Sequence, residues 1–103
     1  MDFDGFDWDA ANRVKCQKHG VSLGEIEAVF GSDPLVIPDL RHSISENRFH
    51  VVGQPSGGKP IFLVITLRRR MEALFIRVIS ARYMHSKEIV FYEKAKAISH
   101  SDE

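Results

Sequence analysis

Glu46, Arg48 and His50 place a carboxylate, a guanidinium and an imidazole at alternate positions of one short segment. In a β-strand, residues two apart point to the same face, so an extended backbone would align these three groups. Such a set suits metal-free RNA cleavage, which needs a base for the ribose 2′-hydroxyl, a cation for the phosphate and an acid for the leaving 5′-oxygen. We assign these roles to Glu46, Arg48 and His50 respectively. The alternative is an exposed strand face of mixed charge.

Arg77 and Arg82 add two guanidinium groups to segment 75–82, whose apolar residues predict a packed strand. Burying an arginine costs free energy unless an anion pairs with it. The pair therefore predicts either salt bridges or a phosphate site, to which the planar fork of arginine is suited. Strand alternation sends residues five apart to opposite faces. Both arginines reach one site only if a bulge or the strand's end intervenes.

Two further basic groups have sufficient structural explanations. Arg68, Arg69 and Arg70 are expected at a chain reversal, where a charge run is usually solvated. Lys18 and His19 end the first predicted helix, where cations suit the negative end of the helix dipole. As a secondary role, either group would attract RNA phosphates.

The composition predicts a single domain over residues 1–103, with 44% hydrophobic and 27% charged residues. Lys plus Arg equals Asp plus Glu at 14 each, and zero net charge weakens the case for nonspecific nucleic-acid binding. One cysteine, Cys16, and the absence of an apolar run of roughly 18 residues favour a cytoplasmic protein without a membrane span. No glycine-rich phosphate loop or zinc-ligand spacing occurs, so we expect no cofactor and no metal.

Local signals predict helices clustered at the two ends of the chain and strands between them. The predicted elements are helices over 10–19 and 22–30, strands over 35–37, 48–54, 60–67 and 73–81, a helix over 86–98, and a frayed tail at 99–103. Ser22 and Glu25 form a capping-box pattern, and Ser86 is expected to cap the last helix. Short connections predict a four-stranded, mainly antiparallel sheet in an α+β fold, with helices on one face and the other partly open.

A series of short segments is ordered along about residues 6–93. They are Phe6-Asp7-Trp8-Asp9 with Asn12, Lys18-His19-Gly20-Val21-Ser22 before Val29-Phe30, Asp33-Pro34, Ile37-Pro38-Asp39, Glu46 and Arg48 with Gly53, and Arg77-Val78-Ile79-Ser80-Ala81-Arg82 before Glu88 and Tyr92. Taken together, these segments resemble the BrnT family of bacterial type II toxins. The resemblance implies a RelE-like fold and a ribonuclease that inhibits translation.

The resemblance also implies partners. Family members pair with a BrnA antitoxin, whose DNA-binding part lets the complex repress its own promoter, so we expect a hetero-oligomer that reaches DNA only through the antitoxin. With RNA as substrate, we expect Arg77 and Arg82 to join the catalytic set. The expected accessory RNA contacts are Lys18, His19, Arg68, Arg69, Arg70 and Tyr92. Two other functions stay open: a non-catalytic interaction module in a repressor complex, and a basic-patch RNA-binding domain, which the neutral charge disfavours.

Overall fold

The computed structural model describes residues 2–43 and 46–101 and has the predicted α+β class. Its elements are β1 (Gly5–Phe6), α1 (Ala10–Cys16), α2 (Leu23–Val29), β2 (Leu35–Pro38), β3 (Arg48–Gly53), β4 (Ile61–Arg70), β5 (Ala73–Tyr83) and α3 (Ser86–Ser101). The strands form one sheet in the order β1-β5-β4-β3-β2. β2 therefore lies at one edge of the sheet.

The predicted strand number is wrong, because β1 adds a fifth strand that runs parallel to β5. The remaining neighbours, from β5 to β2, pair antiparallel, so the sheet is mixed. β1 is held by backbone bonds on both sides, from Asp4 N–H to the Leu74 carbonyl at 2.7 Å and from Asp7 N–H to the Ile76 carbonyl at 2.8 Å. Two residues are too few to show strand alternation in a sequence.

The β4–β5 hairpin is longer than predicted, which moves the basic run from a turn into a strand. Arg68 pairs with Phe75 across the hairpin, and the pairing continues to Arg70 and Ala73. The reversal falls instead at Met71, which adopts a positive φ of 57°. The prediction that the three consecutive charges mark a turn is therefore wrong, because the backbone of these residues pairs with the neighbouring strand.

The two first helices share one face of the sheet. α1 ends at Cys16, three residues before the predicted His19, and Gly20 follows in the left-handed region with φ of 92°. The capping box at the start of α2 is confirmed: the Ser22 hydroxyl accepts from the Glu25 N–H at 3.1 Å, and the Glu25 carboxylate accepts from the Ser22 N–H at 3.1 Å.

The core lies between these helices and the sheet. It contains Cys16, Val21, Ile26, Val29, Val51, Ile61, Leu63, Ile65, Ile76, Val78 and Ala81. Gly53 leaves no room for a side chain: an added Cβ would lie 2.7 Å from the Ser32 hydroxyl oxygen and 3.0 Å from a methyl carbon of Val29. This position of β3 therefore admits no larger residue without movement of its neighbours.

The prediction that the helices share one face is wrong for α3, which lies on the opposite face, against the β2 edge of the sheet. Ser86 is its first residue rather than its cap, and the Glu88 carboxylate accepts from the His85 N–H at 2.9 Å. Lys96 Nζ donates to the carbonyl of Asp33 at 2.7 Å, which ties the helix to the turn before β2. The helical backbone continues to Ser101, while residues 102–103 of the predicted frayed tail lie outside the described residues. No helix in the described part of the chain is long and apolar enough to cross a bilayer.

Candidate active site

A register shift in the β4–β5 pairing brings the two arginines of β5 onto one face of the sheet. Ile65 pairs with Val78 and Val64 pairs with Ser80, so Ile79 has no partner opposite and forms a β-bulge. The extra residue reverses the alternation of side chains, so that odd-numbered residues before the bulge and even-numbered residues after it point to the same face. Arg77 and Arg82, five positions apart, both lie on the face opposite the core, as the sequence required for a shared site.

We call this surface the arginine face. It consists of Arg48, His50, Val52, Phe62, Val64, Thr66, Arg68, Phe75, Arg77, Ser80 and Arg82, assigned by strand register. Three rows cross it, and the first joins Arg48, Thr66 and Arg77 on successive strands. Because neighbouring strands lie about 4.8 Å apart, the backbones of Arg48 and Arg77 are separated by roughly 10 Å.

Phe62 links the imidazole and one guanidinium of the arginine face. The rings of His50 and Phe62 have centroids 5.0 Å apart, and the guanidinium carbon of Arg82 lies 4.6 Å from the centre of the Phe62 ring. His50 and Arg82 therefore contact the same aromatic side chain. Thr66 also belongs to the face but is buried, and its hydroxyl donates to the Asn47 carbonyl at 2.7 Å.

Arg77 and Arg82 form the salt bridges that the sequence offered as one of two explanations. Arg82 makes a bidentate contact with Glu88, at 2.7 and 2.8 Å, which connects β5 to the first turn of α3. The hydrogen bond from Arg82 lowers the pKa of Glu88 to about 2. Arg77 donates to the Asp9 carboxylate at 2.8 Å and to the Asp7 carbonyl at 3.1 Å.

Asp9 also caps α1, since its carboxylate accepts from the Asn12 N–H at 2.8 Å. That backbone bond and the contact with Arg77 together hold the pKa of Asp9 below its usual value. The guanidinium of Arg77 is thus directed to the segment that follows β1, at the edge of the sheet. The ion pair with Asp9 leaves a phosphate-binding role open for Arg77, because a phosphate can replace the carboxylate as the partner of a guanidinium.

Arg48 differs from the other arginines of the face. Arg68, Arg77 and Arg82 each form a salt bridge, whereas Arg48 forms none with the described residues. Its buried Nε also has no hydrogen-bond partner within that part of the chain. A buried donor without a partner costs free energy, which an incoming anion would recover. Arg48 is therefore the guanidinium best placed to accept a phosphate from outside.

Glu46 lies outside the strand that was expected to contain it, because β3 begins at Arg48. Its carboxylate nevertheless reaches the arginine face, where it accepts from Arg68 at 3.3 Å. Both side chains are substantially exposed, so the pair contributes only about 0–1 kcal/mol. The preceding residues of the predicted central loop, Ile44 and Ser45, lie outside the described residues.

Asp39 is the residue of this region that sequence reasoning missed. One oxygen of its carboxylate lies 3.0 Å from Nε2 of His50 and 3.0 Å from Nδ1 of His42. Burial of Asp39 raises its pKa, but the hydrogen bonds with the two histidines outweigh burial and leave the pKa lowered. The sequence contained one signal, an acidic residue directly after the apolar run that forms β2.

The predicted accessory RNA contacts are dispersed. Lys18 and His19 are exposed after α1, away from the strands that carry the arginine face. Arg69 pairs with Leu74 and so lies on the other face from Arg68, while Arg70 pairs with Asp7 at 3.2 Å. Tyr92 is 6% exposed, a position that favours packing over stacking on a base.

An apolar hollow of about 370 Å³ lies between α3 and the neighbouring part of the sheet. Its lining includes Ile37, Phe62, Glu88, Phe91 and Tyr92. Phe91 is 81% exposed and Ile37 is 52% exposed, so the rim carries large apolar side chains in contact with water. Phe62 and Glu88 belong both to this hollow and to the contacts of Arg82.

The family model for the ribonuclease toxin BrnT of type II toxin-antitoxin systems matches residues 8–88. The chain belongs to the BrnT family. The matched range begins just after β1 and ends at Glu88, the partner of Arg82. It therefore includes every residue of the arginine face. Membership identifies this BrnT-family chain as a ribonuclease toxin and implies an antitoxin as its partner. A comparison with curated proteins found no match.

Proposed function

We propose that this BrnT-family chain is a metal-independent endoribonuclease whose active site is the arginine face. The observation that carries the proposal is Arg48, which forms no ion pair with the described residues and lies two positions from His50 on the same strand and face. A cation without a partner, beside a group that can exchange protons, is what cleavage of a phosphodiester requires. Arg77 and Arg82 border the same area and extend it for a longer RNA segment.

The reaction uses only groups of the chain and the RNA. Glu46 takes the proton of a ribose 2′-hydroxyl, and the 2′-oxygen forms a bond to the adjacent phosphorus. The bond from phosphorus to the 5′-oxygen breaks, and protonated His50 gives its proton to that oxygen. The products are a 2′,3′-cyclic phosphate and a 5′-hydroxyl, while Arg48 stabilises the added charge on phosphorus.

Glu46 must leave Arg68 to act as the base, and the weakness of that exposed pair makes the exchange inexpensive. The contact is a single one at 3.3 Å between side chains that are 46% and 33% exposed. Exposed pairs of this kind contribute about 0–1 kcal/mol. An RNA phosphate that binds Arg68 would release the carboxylate and bring it toward the substrate.

The test compares purified wild-type protein with single alanine variants of Glu46, Arg48, His50, Arg77 and Arg82 on total RNA. Loss of one well-placed charge stabiliser lowers the rate by about a hundredfold or more, and we expect the largest loss for Arg48→Ala. Circular dichroism establishes that each variant is folded. Arg69→Ala is the matched control, because Arg69 is exposed and lies on the other face. Wild-type rates in all five variants would refute the site.

We propose in addition that a BrnA-like antitoxin covers the arginine face and α3. The apolar hollow with exposed Phe91 supports an apolar contact, and the arginines support acidic side chains, since arginine pairs with carboxylate as well as phosphate. Toxin and antitoxin would then form a hetero-oligomer in the cytoplasm. The complex would reach its own promoter through the DNA-binding part of the antitoxin.

Titration of RNA cleavage against added antitoxin tests this arrangement, together with affinities for the arginine variants. Antitoxin binding and RNA cleavage are expected to be mutually exclusive, and Arg48→Ala and Arg82→Ala are expected to weaken both. Full inhibition with unchanged affinity in every arginine variant would show that the antitoxin acts from another surface.

The second candidate function is a non-catalytic module that serves only in the repressor complex. The internal pairing of Arg68, Arg77 and Arg82 favours it, because paired arginines can be purely structural. Expression from a tightly controlled promoter separates the two functions. A ribonuclease toxin arrests growth and its Arg48→Ala variant does not, whereas a repressor module leaves growth unchanged in both forms.

A further inference from the structure

We infer that Asp39 is a positioning residue of the ribonuclease site, which fixes the ring of His50 so that Nδ1 faces the substrate. The inference rests on the proposed function of the arginine face and goes beyond it by assigning an atom of His50 and a residue behind it. Its basis is the contact of 3.0 Å between the Asp39 carboxylate and Nε2 of His50.

Asp39 is well held for this task. It is 8% exposed, its backbone N–H donates to the Arg48 carbonyl at 2.8 Å, and its carbonyl accepts from the Ser43 hydroxyl. The Ser43 hydroxyl oxygen in turn accepts from the Arg48 N–H at 3.0 Å. The carboxylate is therefore fixed to β3, the strand that carries both Arg48 and His50.

The tautomer of His50 follows from the nature of this partner. An ionised carboxylate can only accept hydrogen bonds, so Nε2 of His50 must carry the hydrogen in their contact. In the neutral ring, Nδ1 then keeps its lone pair and is free to take or give the transferred proton. In other aspartate–histidine pairs the carboxylate likewise holds the ring in one tautomer and orientation.

Phe62 completes the orientation from the other side, because its ring lies 5.0 Å from that of His50, centroid to centroid. The charged groups around the imidazole are Asp39 from the segment after β2, His42 through that carboxylate, and Arg82 through Phe62. The ring is thus held between a carboxylate and an aromatic face. This arrangement leaves the edge that carries Nδ1 for the substrate.

His42 provides the matched control. Its Nδ1 contacts the same oxygen of Asp39 at the same distance of 3.0 Å, but its side chain is 66% exposed and lies on the loop rather than on β3. Removal of His42 takes one hydrogen bond from Asp39 without touching the Asp39–His50 contact. We therefore expect His42→Ala to keep the wild-type cleavage rate.

The first measurement is the ring ¹⁵N NMR spectrum of His50 in the wild-type protein, without RNA. We expect the neutral ring to show hydrogen on Nε2 and a lone pair on Nδ1, and Asp39→Asn to lose this preference. A wild-type ring with hydrogen on Nδ1 would overturn the inference, whatever the activity of the protein.

The second measurement is cleavage of a labelled single-stranded RNA by Asp39→Asn, His42→Ala and His50→Ala. We expect Asp39→Asn to lower kcat by about a hundredfold or more with KM nearly unchanged, since a comparable change in serine proteases costs about 10⁴ in kcat. Loss of activity in His50→Ala together with a wild-type rate in folded Asp39→Asn would reject the positioning role. Full activity of His50→Ala would instead reject the proposed site itself.

Discussion

Replacement of Glu88 by glutamine tests whether the ion pair with Arg82 holds α3 to the sheet. The pair is bidentate, at 2.7 and 2.8 Å, and it is the contact by which the first turn of α3 reaches β5. Glutamine keeps the size of the side chain and removes its charge. The expected result at neutral pH is a lower free energy of unfolding.

The magnitude follows from the pKa of Glu88, which the bonds from Arg82 and from the His85 N–H lower from 4.5 to about 2. At about 1.36 kcal/mol for each pH unit, this difference corresponds to at most about 3.4 kcal/mol. Both side chains are 34% exposed, so solvent screens the interaction. After that discount we expect a loss of about 1–2 kcal/mol in Glu88→Gln.

The pH dependence has a definite sign. A carboxyl with a lowered pKa in the folded state contributes its full stability above its unfolded pKa of 4.5 and loses it as the pH falls through about 2. The difference between wild type and Glu88→Gln should therefore be constant near pH 7. At pH 3 it should shrink to well under half of its neutral value.

Urea unfolding of both proteins at pH 7 and pH 3 measures these free energies. Glu93→Gln is the control, because Glu93 is exposed on the same helix and should leave stability unchanged within about 0.5 kcal/mol. Equal stability of wild type and Glu88→Gln at pH 7 would refute the reasoning. A difference that stays the same at pH 3 would show that the charge of Glu88 is not its source.

Three further predictions concern the packing at Gly53, the capping box of α2 and the availability of Arg82. Gly53→Ala should lower the free energy of unfolding by about 1–3 kcal/mol in thermal or urea unfolding, since its Cβ would overlap the Ser32 hydroxyl, whereas Gly24→Ala, with open space around it, should not destabilise. Ser22→Ala should cost about 1 kcal/mol by loss of the capping box, and equal melting temperatures would contradict this. Glu88→Gln should also bind single-stranded RNA more tightly than wild type, because Arg82 becomes one more available cation. In titrations at several salt concentrations, its slope of log K against log[salt] should be steeper by about 0.7. An unchanged slope would place Arg82 outside the RNA site.

Most of the fold could be predicted because its signals are local. The capping box of α2 lies within Ser22–Glu25, and turn residues separate the strands from β2 to β4. β1 could not be predicted, because its stability comes from backbone bonds to β5, about 70 residues along the chain. The long β4–β5 hairpin was missed for a similar reason, since pairing partners decide whether charged residues end a strand.

The candidate site divides in the same way. Alternation correctly placed Arg48 and His50 on one face, because β3 is regular along its length. The bulge that gives Arg77 and Arg82 a common face depends on Ile79, which is apolar like Val78 before it and does not differ from an ordinary strand residue in the sequence. Asp39 was missed because its partner, His50, is eleven positions away and is reached only when β2 and β3 pair.

The pairing of arginines with carboxylates also gives the zero net charge a physical meaning. Three of the four guanidinium groups on the arginine face are neutralised by carboxylates of the chain itself, and Arg48 is the exception among the described residues. If this face is the RNA site that we propose, it would attract RNA weakly from a distance and would exchange carboxylates for phosphates once RNA is in contact. An antitoxin with carboxylates of its own would then compete for these arginines on equal chemical terms. A neutral toxin of this design would depend on Arg48 to begin binding and on displacement of Asp9, Glu46 and Glu88 to complete it.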